Sequence, residues 1–178
     1  VKKVINERIA PIVDLKFDFV EEKGLIRIAF EPDGAYSYIG TDAVEMRGEP
    51  STMNLGWLDA NVIMHEFGHA LGLIHEHQNP FGESIPWDED AVYKWASQSP
   101  NFWDKTTTYE NIIKKYDGTQ LNGSDYDPDS IMLYFFPAEL TTNNKGTTAN
   151  MRLSRTDVNY INKQYPNSEL TPTEFYRK

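Results

Sequence analysis

Apolar residues first recur at Val1, Val4, Ile5, Ile9 and Ile12, the spacing of a helix with one buried face, and Pro11 closes the run. The first residue is therefore expected inside that helix. Leu15, Phe17 and Phe19 then alternate with Lys16 and Asp18, which predicts a strand with one buried face. After a turn at Glu21 to Gly24, Leu25 to Phe30 is apolar except for Arg27 and reads as a second strand, ended by Glu31-Pro32-Asp33-Gly34. Residues 35–48 read as a loop with partial strand character, and Ser51 to Trp57 as an extended segment leading into a helix with Asp59 at its N-cap. Ile63, Phe67, Ala70 and Leu71 form the core-facing stripe of that helix. Helical periodicity returns over 88–97, with Ala91, Val92 and Trp95 on its apolar face, and over 104–116, with Tyr109, Ile112 and Ile113. Residues 118–129 and 141–150 are polar loops, and Asp125, Asp127 and Asp129 in the first read as turn formers. Ser154-Arg155-Thr156-Asp157 resembles a capping box opening a last helix that turns Val158 and Ile161 inward and ends at Pro166.

Chemistry concentrates in His65-Glu66-Phe67-Gly68-His69-Ala70-Leu71-Gly72-Leu73-Ile74-His75-Glu76. His65 and His69 are four apart, so on a helix of about 3.6 residues per turn both imidazoles leave one face and can share a metal. Glu66 is beside the first ligand, within reach of water at the metal, which is the position of a general base. A third ligand one turn further along would point away. Gly72 can adopt the left-handed backbone that ends a helix and turns the chain so that His75 returns to the metal. Three imidazoles leave the fourth position of a zinc ion open, as in a catalytic site. The spacing of the three histidines and Gly72 is that of the metzincin zinc proteases. His77, the fourth histidine, is expected in the following loop.

This stretch resembles the astacin family of metzincin endopeptidases, in which a glutamate follows the third histidine, as Glu76 does here. Ser130-Ile131-Met132-Leu133-Tyr134 is similar to the family's Met-turn. The likeness runs from about Phe17 to Pro166. It implies an α+β fold: a twisted mixed sheet with the active-site helix in the N-terminal half, helices and loops in the C-terminal half, and a cleft between. Residues 1–76 would form the upper subdomain, 77–166 the lower one with the Met-turn, and 167–178 a polar tail of one catalytic domain. Such domains usually begin with a strand, so the chain is expected to lack its first one. The resemblance further implies one zinc ion per chain on His65, His69 and His75, with Glu66 catalytic, Met132 beneath the metal and Tyr134 near it, supporting the transition state. It also makes the segment Met53, Asn54, Leu55 and Gly56 either a sheet edge along which substrate lies antiparallel or a plain edge strand. Many family members carry disulfides, whereas this chain has no cysteine. In members with a matured N-terminus the glutamate matching Glu76 is linked to that terminus, and nothing shows that Val1 is one, which leaves Glu76 without an assigned role.

A chain of 178 residues fits one domain with a substantial core. Its net charge of −10 argues against nucleic acid, whose phosphates it would repel, and no apolar run approaches a membrane span. The expected partner is a polypeptide substrate met by a monomer. A secreted or periplasmic location is implied by the resemblance alone. A zinc-bearing binding module is the rival, and Glu66 argues against it because binding requires no general base.

Overall fold

The computed structural model describes residues 1–22, 24–119 and 121–169. Helix α1 (Lys2–Val4) runs into a π-helical turn at Ile5–Ile9, with Val1 at the N-cap position rather than inside the helix. Ile5, Ile9 and Ile12 are fully buried, as their spacing predicts. The strand expected at Leu15 to Phe19 does not form. Leu15, Phe19 and Val20 are exposed, and Phe17 meets the ring of Phe67 edge-on at 6.5 Å. Alternation makes a strand only where a neighbour completes the backbone ladder, and the described residues supply none here. Chain pairing in this region is a single bridge between Val13 and Pro166.

Three short strands make one mixed sheet. They are β1 (Ile28–Ala29), β2 (Ala35–Ser37) and β3 (Met53–Leu55), in the order β1-β3-β2. The middle strand is parallel to β1, with Met53 opposite Ile28, and antiparallel to β2, with Leu55 opposite Ala35. The segment expected at the edge is thus the centre of the sheet, and Met53, Asn54 and Leu55 are all buried. Strand β1 is shorter than its apolar run, and Leu25 and Phe30 at the two ends of that run lie exposed. Arg27, the one charge in that run, donates to the carbonyls of Met46 at 2.6 Å and Glu49 at 3.2 Å, tying down the loop that precedes β3. A four-residue helix, α2 (Asp42–Glu45), interrupts the segment read as loop. Helix α3 (Ala60–Ala70) follows β3.

The chain divides into two compact units, one of Val1–Ile74 joined by the chain from Met151 onward, the other of His75–Asn150. The final helix therefore belongs with the N-terminal elements, whereas the sequence grouped it with the second half. Its packing explains this. Asn162 donates to the Ile12 carbonyl at 2.9 Å, the Tyr165 hydroxyl donates to the Leu71 carbonyl at 3.0 Å, and Val158 and Ile161 are buried.

Within the second unit, α4 (Glu89–Ala96) and α5 (Lys105–Thr108) start at Asp88 and Asp104, whose carboxylates accept from Ala91 and Thr107 N–H. Val92, Ala96, Ile112, Phe136 and Leu140 form its core, with Trp95 packed against it. Helix α5 passes into a π-helical turn at Tyr109–Ile113, which widens the turn and shifts the side-chain register. Ile112 is buried as predicted, but Tyr109 is exposed. In the first unit, α6 (Arg155–Gln164) opens on the predicted capping box: Ser154 Oγ accepts from Asp157 N–H at 2.9 Å and the Asp157 carboxylate from Ser154 N–H at 2.8 Å. Most of the predicted polar tail, 170–178, lies outside the described residues.

Candidate active site

Helix α3 carries the site, and its two ends are built differently. Asp59 holds the N-cap position, but its side chain makes no cap hydrogen bond; its carbonyl accepts from Ile63 N–H at 3.0 Å instead. The other end closes in a Schellman arrangement. Gly72 N–H donates to His69 O at 2.8 Å and Leu73 N–H to Gly68 O at 2.9 Å, with Gly72 at φ +97°. That backbone suits glycine, and it turns the chain out of the helix three residues before His75. Gly40, at the end of the segment after β2, also anchors here, its N–H donating to the His69 carbonyl at 2.8 Å.

His65, His69 and His75 present one ring nitrogen each, all within 4.8 Å of one another. The rings of His65 and His69 stand nearly perpendicular, 85° apart, with centroids 4.9 Å apart. His69 Nδ1 lies 2.8 Å from the Leu73 carbonyl oxygen, which can only accept. Nδ1 therefore carries the hydrogen, and Nε2 keeps the lone pair that a metal needs. Burial, then the neighbouring His65, push the His69 pKa down to about 4 against the upward pull of the Leu73 carbonyl, so the ring is neutral at neutral pH. Three imidazoles with no carboxylate among them are the donor set of a catalytic zinc site, so the residues fit the metal that their spacing implies.

Glu66 is buried, and its Oε2 meets no hydrogen-bond partner among the described residues. Burial raises its pKa to about 7. A carboxylate enclosed without donors binds a proton more readily than one in water.

The residues after His75 form a 3₁₀ turn, Glu76–Gln78, and each polar side chain from 76 to 79 has a defined task. Glu76 Oε1 accepts from Asp127 N–H at 2.8 Å and from the Asn79 amide at 2.9 Å. This gives the glutamate a partner set that the sequence did not indicate. Met132 is buried, with its N–H on Ser130 Oγ and its carbonyl accepting from Glu76 N–H. Tyr134 is 42% exposed, its ring 4.3 Å from that of His75. His77, expected as a loop residue, is instead buried against His75 and Tyr134. No signal in the sequence marks it, because Asn111 and Tyr134 come from distant segments. Asp129 N–H donates to Asp127 Oδ1, in keeping with turn formation.

The proposed substrate strand is not placed to receive substrate. Met53, Asn54 and Leu55 have strands on both sides, and the Asn54 amide donates to Glu31 O, Asp33 Oδ1 and Gly34 O. Gly56 donates its N–H to Gly34 O, and a Cβ there would lie 2.6 Å from that same oxygen.

Comparison with known proteins gives consistent results. The profile of the astacin peptidase family matches residues 15–166. The metalloprotease AprA of Pseudomonas entomophila is 29% identical over 80 residues, 43% of this chain; the chain spans 16% of that relative's length. Astacin-like metalloprotease toxin 4 of Loxosceles laeta is 30% identical over 107 residues, covering 57% of this chain and 79% of the toxin. Among solved structures, myroilysin superposes with a TM-score of 0.83 at 36% identity, over 94% of this chain and 89% of the other. The high choriolytic enzyme 1 of Oryzias latipes, a hatching enzyme zinc-protease, shares the fold at a TM-score of 0.55 and 22% identity, over 92% of this chain and 81% of the other.

Proposed function

This chain belongs to the astacin family and is a metalloendopeptidase of α+β fold; from that premise we propose that His65, His69 and His75 hold one zinc ion per chain and that Glu66 is the general base of peptide hydrolysis. The observation that carries the reading is the convergence of three imidazole nitrogens within 4.8 Å, with the buried Glu66 next to His65 in the chain. Zinc, when bound, supplies Lewis acidity, which acidifies water and polarises a carbonyl oxygen.

The protein's own groups do the rest. Glu66 Oε2 takes a proton from the attacking water and later gives it to the leaving amine nitrogen. Enclosure of Glu66 keeps competing donors away from that oxygen. The Tyr134 hydroxyl donates to the oxygen that becomes negative as the carbonyl carbon turns tetrahedral, an interaction stronger in the transition state than in the substrate. Met132 packs as a floor, and its carbonyl fixes the turn that carries His75. Gly72 and Glu76 are structural, one ending the helix and the other tying the turn to residue 127.

Substrate adds as a strand at β2 rather than at β3. Strand β2 has a ladder partner on one side only among the described residues, and the segment after it is bonded to His69 through Gly40. The substrate is a polypeptide, and the protein acts as a monomer with one catalytic domain over 1–178, secreted or periplasmic. No helix among the described residues is long and apolar enough to cross a membrane.

The test pairs metal analysis with cleavage of an unfolded protein, with and without a chelator. One zinc per chain and chelator-sensitive cleavage are expected. Zinc without cleavage would refute the catalytic reading, and cleavage that survives complete metal removal would refute the metal's part in it.

A further inference from the structure

His77 is the one histidine outside the triad, and it is 2% exposed on the turn that directly follows His75. Burying an imidazole N–H away from water costs free energy unless an acceptor meets it. Its Nε2 faces the Asn111 carbonyl oxygen at 2.9 Å, and since a carbonyl has no proton to give, Nε2 carries the hydrogen. Gln78 reaches the same segment, donating to Glu110 O at 2.7 Å and Lys114 O at 3.1 Å. The turn after the third ligand is therefore pinned to residues 110–114 by two successive side chains.

The flat face of His77 is equally engaged. It stacks on His75 with centroids 5.2 Å apart and planes at 22°, and on Tyr134 at 5.6 Å and 27°. His75 and Tyr134 are themselves 4.3 Å apart, so the three rings close a triangle. Phe136 meets His77 edge-on at 5.0 Å. Stacked and edge-on contacts of this kind restrict ring orientation as well as excluding water.

We propose that His77 is a positioning residue: its ring, pinned by Asn111, is the planar wall that fixes His75 and Tyr134 relative to one another. It rests on the roles given above to those two residues. The third metal ligand and the phenol are thereby held as one unit. An aliphatic or amide side chain would fill the space but offer no aromatic face.

Two variants separate the wall from the pin. His77→Gln keeps an N–H for the Asn111 carbonyl and loses the ring. His77→Phe keeps the ring and loses the N–H. Each is loaded with zinc and compared with wild type for zinc release into excess chelator, kcat, KM and Tm. His77→Gln is expected to speed zinc release and lower kcat, each by about 10- to 100-fold, with KM within about threefold. His77→Phe is expected to stay within about threefold of wild type on both counts, with a lower Tm from the unsatisfied carbonyl. The proposal is overturned if His77→Gln stays within about twofold of wild type, or if His77→Phe is as impaired as His77→Gln. Should His77→Gln show no cooperative melt, His77→Phe decides alone, retention supporting the wall and loss overturning it. The zinc-release arm needs no turnover, so a wild-type protein that binds zinc without cleaving would refute the proposed mechanism while still testing the wall.

Discussion

The backbone N–H of Glu76 donates to the carbonyl oxygen of Met132 at 3.0 Å, joining the residue after the third histidine to the centre of the Met-turn. The side chain of Glu76 repeats the connection by accepting from Asp127 N–H. Two parts of the chain more than fifty residues apart are thus fastened at both the backbone and the carboxylate. The position of His75 is set by this double attachment as much as by the glycine that precedes it.

Removing the carboxylate should loosen that attachment. Glu76→Ala leaves Asp127 N–H and the Asn79 amide without their acceptor, which costs about 2 kcal/mol, or a Tm drop of roughly 4–8 °C in a chain of this size. Glu76→Gln retains an oxygen acceptor and should lose no more than about 1 kcal/mol. Equal Tm values for the two variants would show that the charge, rather than the pair of accepted bonds, is what matters.

Glu66→Gln isolates the general base. The amide has nearly the same size but cannot take a proton, so zinc content should be unchanged while kcat falls by about 10²- to 10⁴-fold. Measuring zinc and turnover on the same sample distinguishes loss of the base from loss of the metal. Turnover near that of wild type would assign the proton transfer to another group.

Tyr134→Phe removes one hydroxyl while keeping the ring against His75 and His77. If that hydroxyl serves the transition state, kcat falls by about 10²- to 10³-fold with little change in KM. A change confined to KM would make Tyr134 a substrate-binding residue instead.

Local rules carried the sequence reading furthest. His65, His69, Gly72 and the Ser154–Asp157 capping box depend on spacings of three or four residues and on one backbone conformation, all visible in a short window. What a window cannot show is the neighbour. The edge position of Met53 to Leu55 is carried over from the family resemblance, and nothing in the sequence itself says that β1 and β2 lie on both sides of it. Leu15 to Phe19 alternates correctly and still lacks a partner strand among the described residues. His77 was passed over for the same reason: its partners, Asn111 and Tyr134, come from distant segments. Asp59 shows the limit even of a local rule, since it holds the cap position while its side chain does not cap.

Gly72 offers a test of how far the site depends on the end of its helix. An added Cβ would meet nothing within 4 Å, so any cost of Gly72→Ala comes from the backbone angle of φ +97° and not from a clash. Holding alanine there costs about 1–2 kcal/mol. If the chain relaxes to avoid that strain, the Leu73 N–H to Gly68 bond goes with it, and so does the Leu73 carbonyl that sets the tautomer of His69. The expected outcome is a lower Tm together with faster zinc release. Gly48→Ala is the control, because that Cβ also meets open space and no positive φ opposes it. It should be neutral or stabilising by up to about 1 kcal/mol through the unfolded chain, with zinc release unchanged. A Gly72→Ala protein indistinguishable from the Gly48→Ala control would mean that His75 reaches the other two histidines without the left-handed turn.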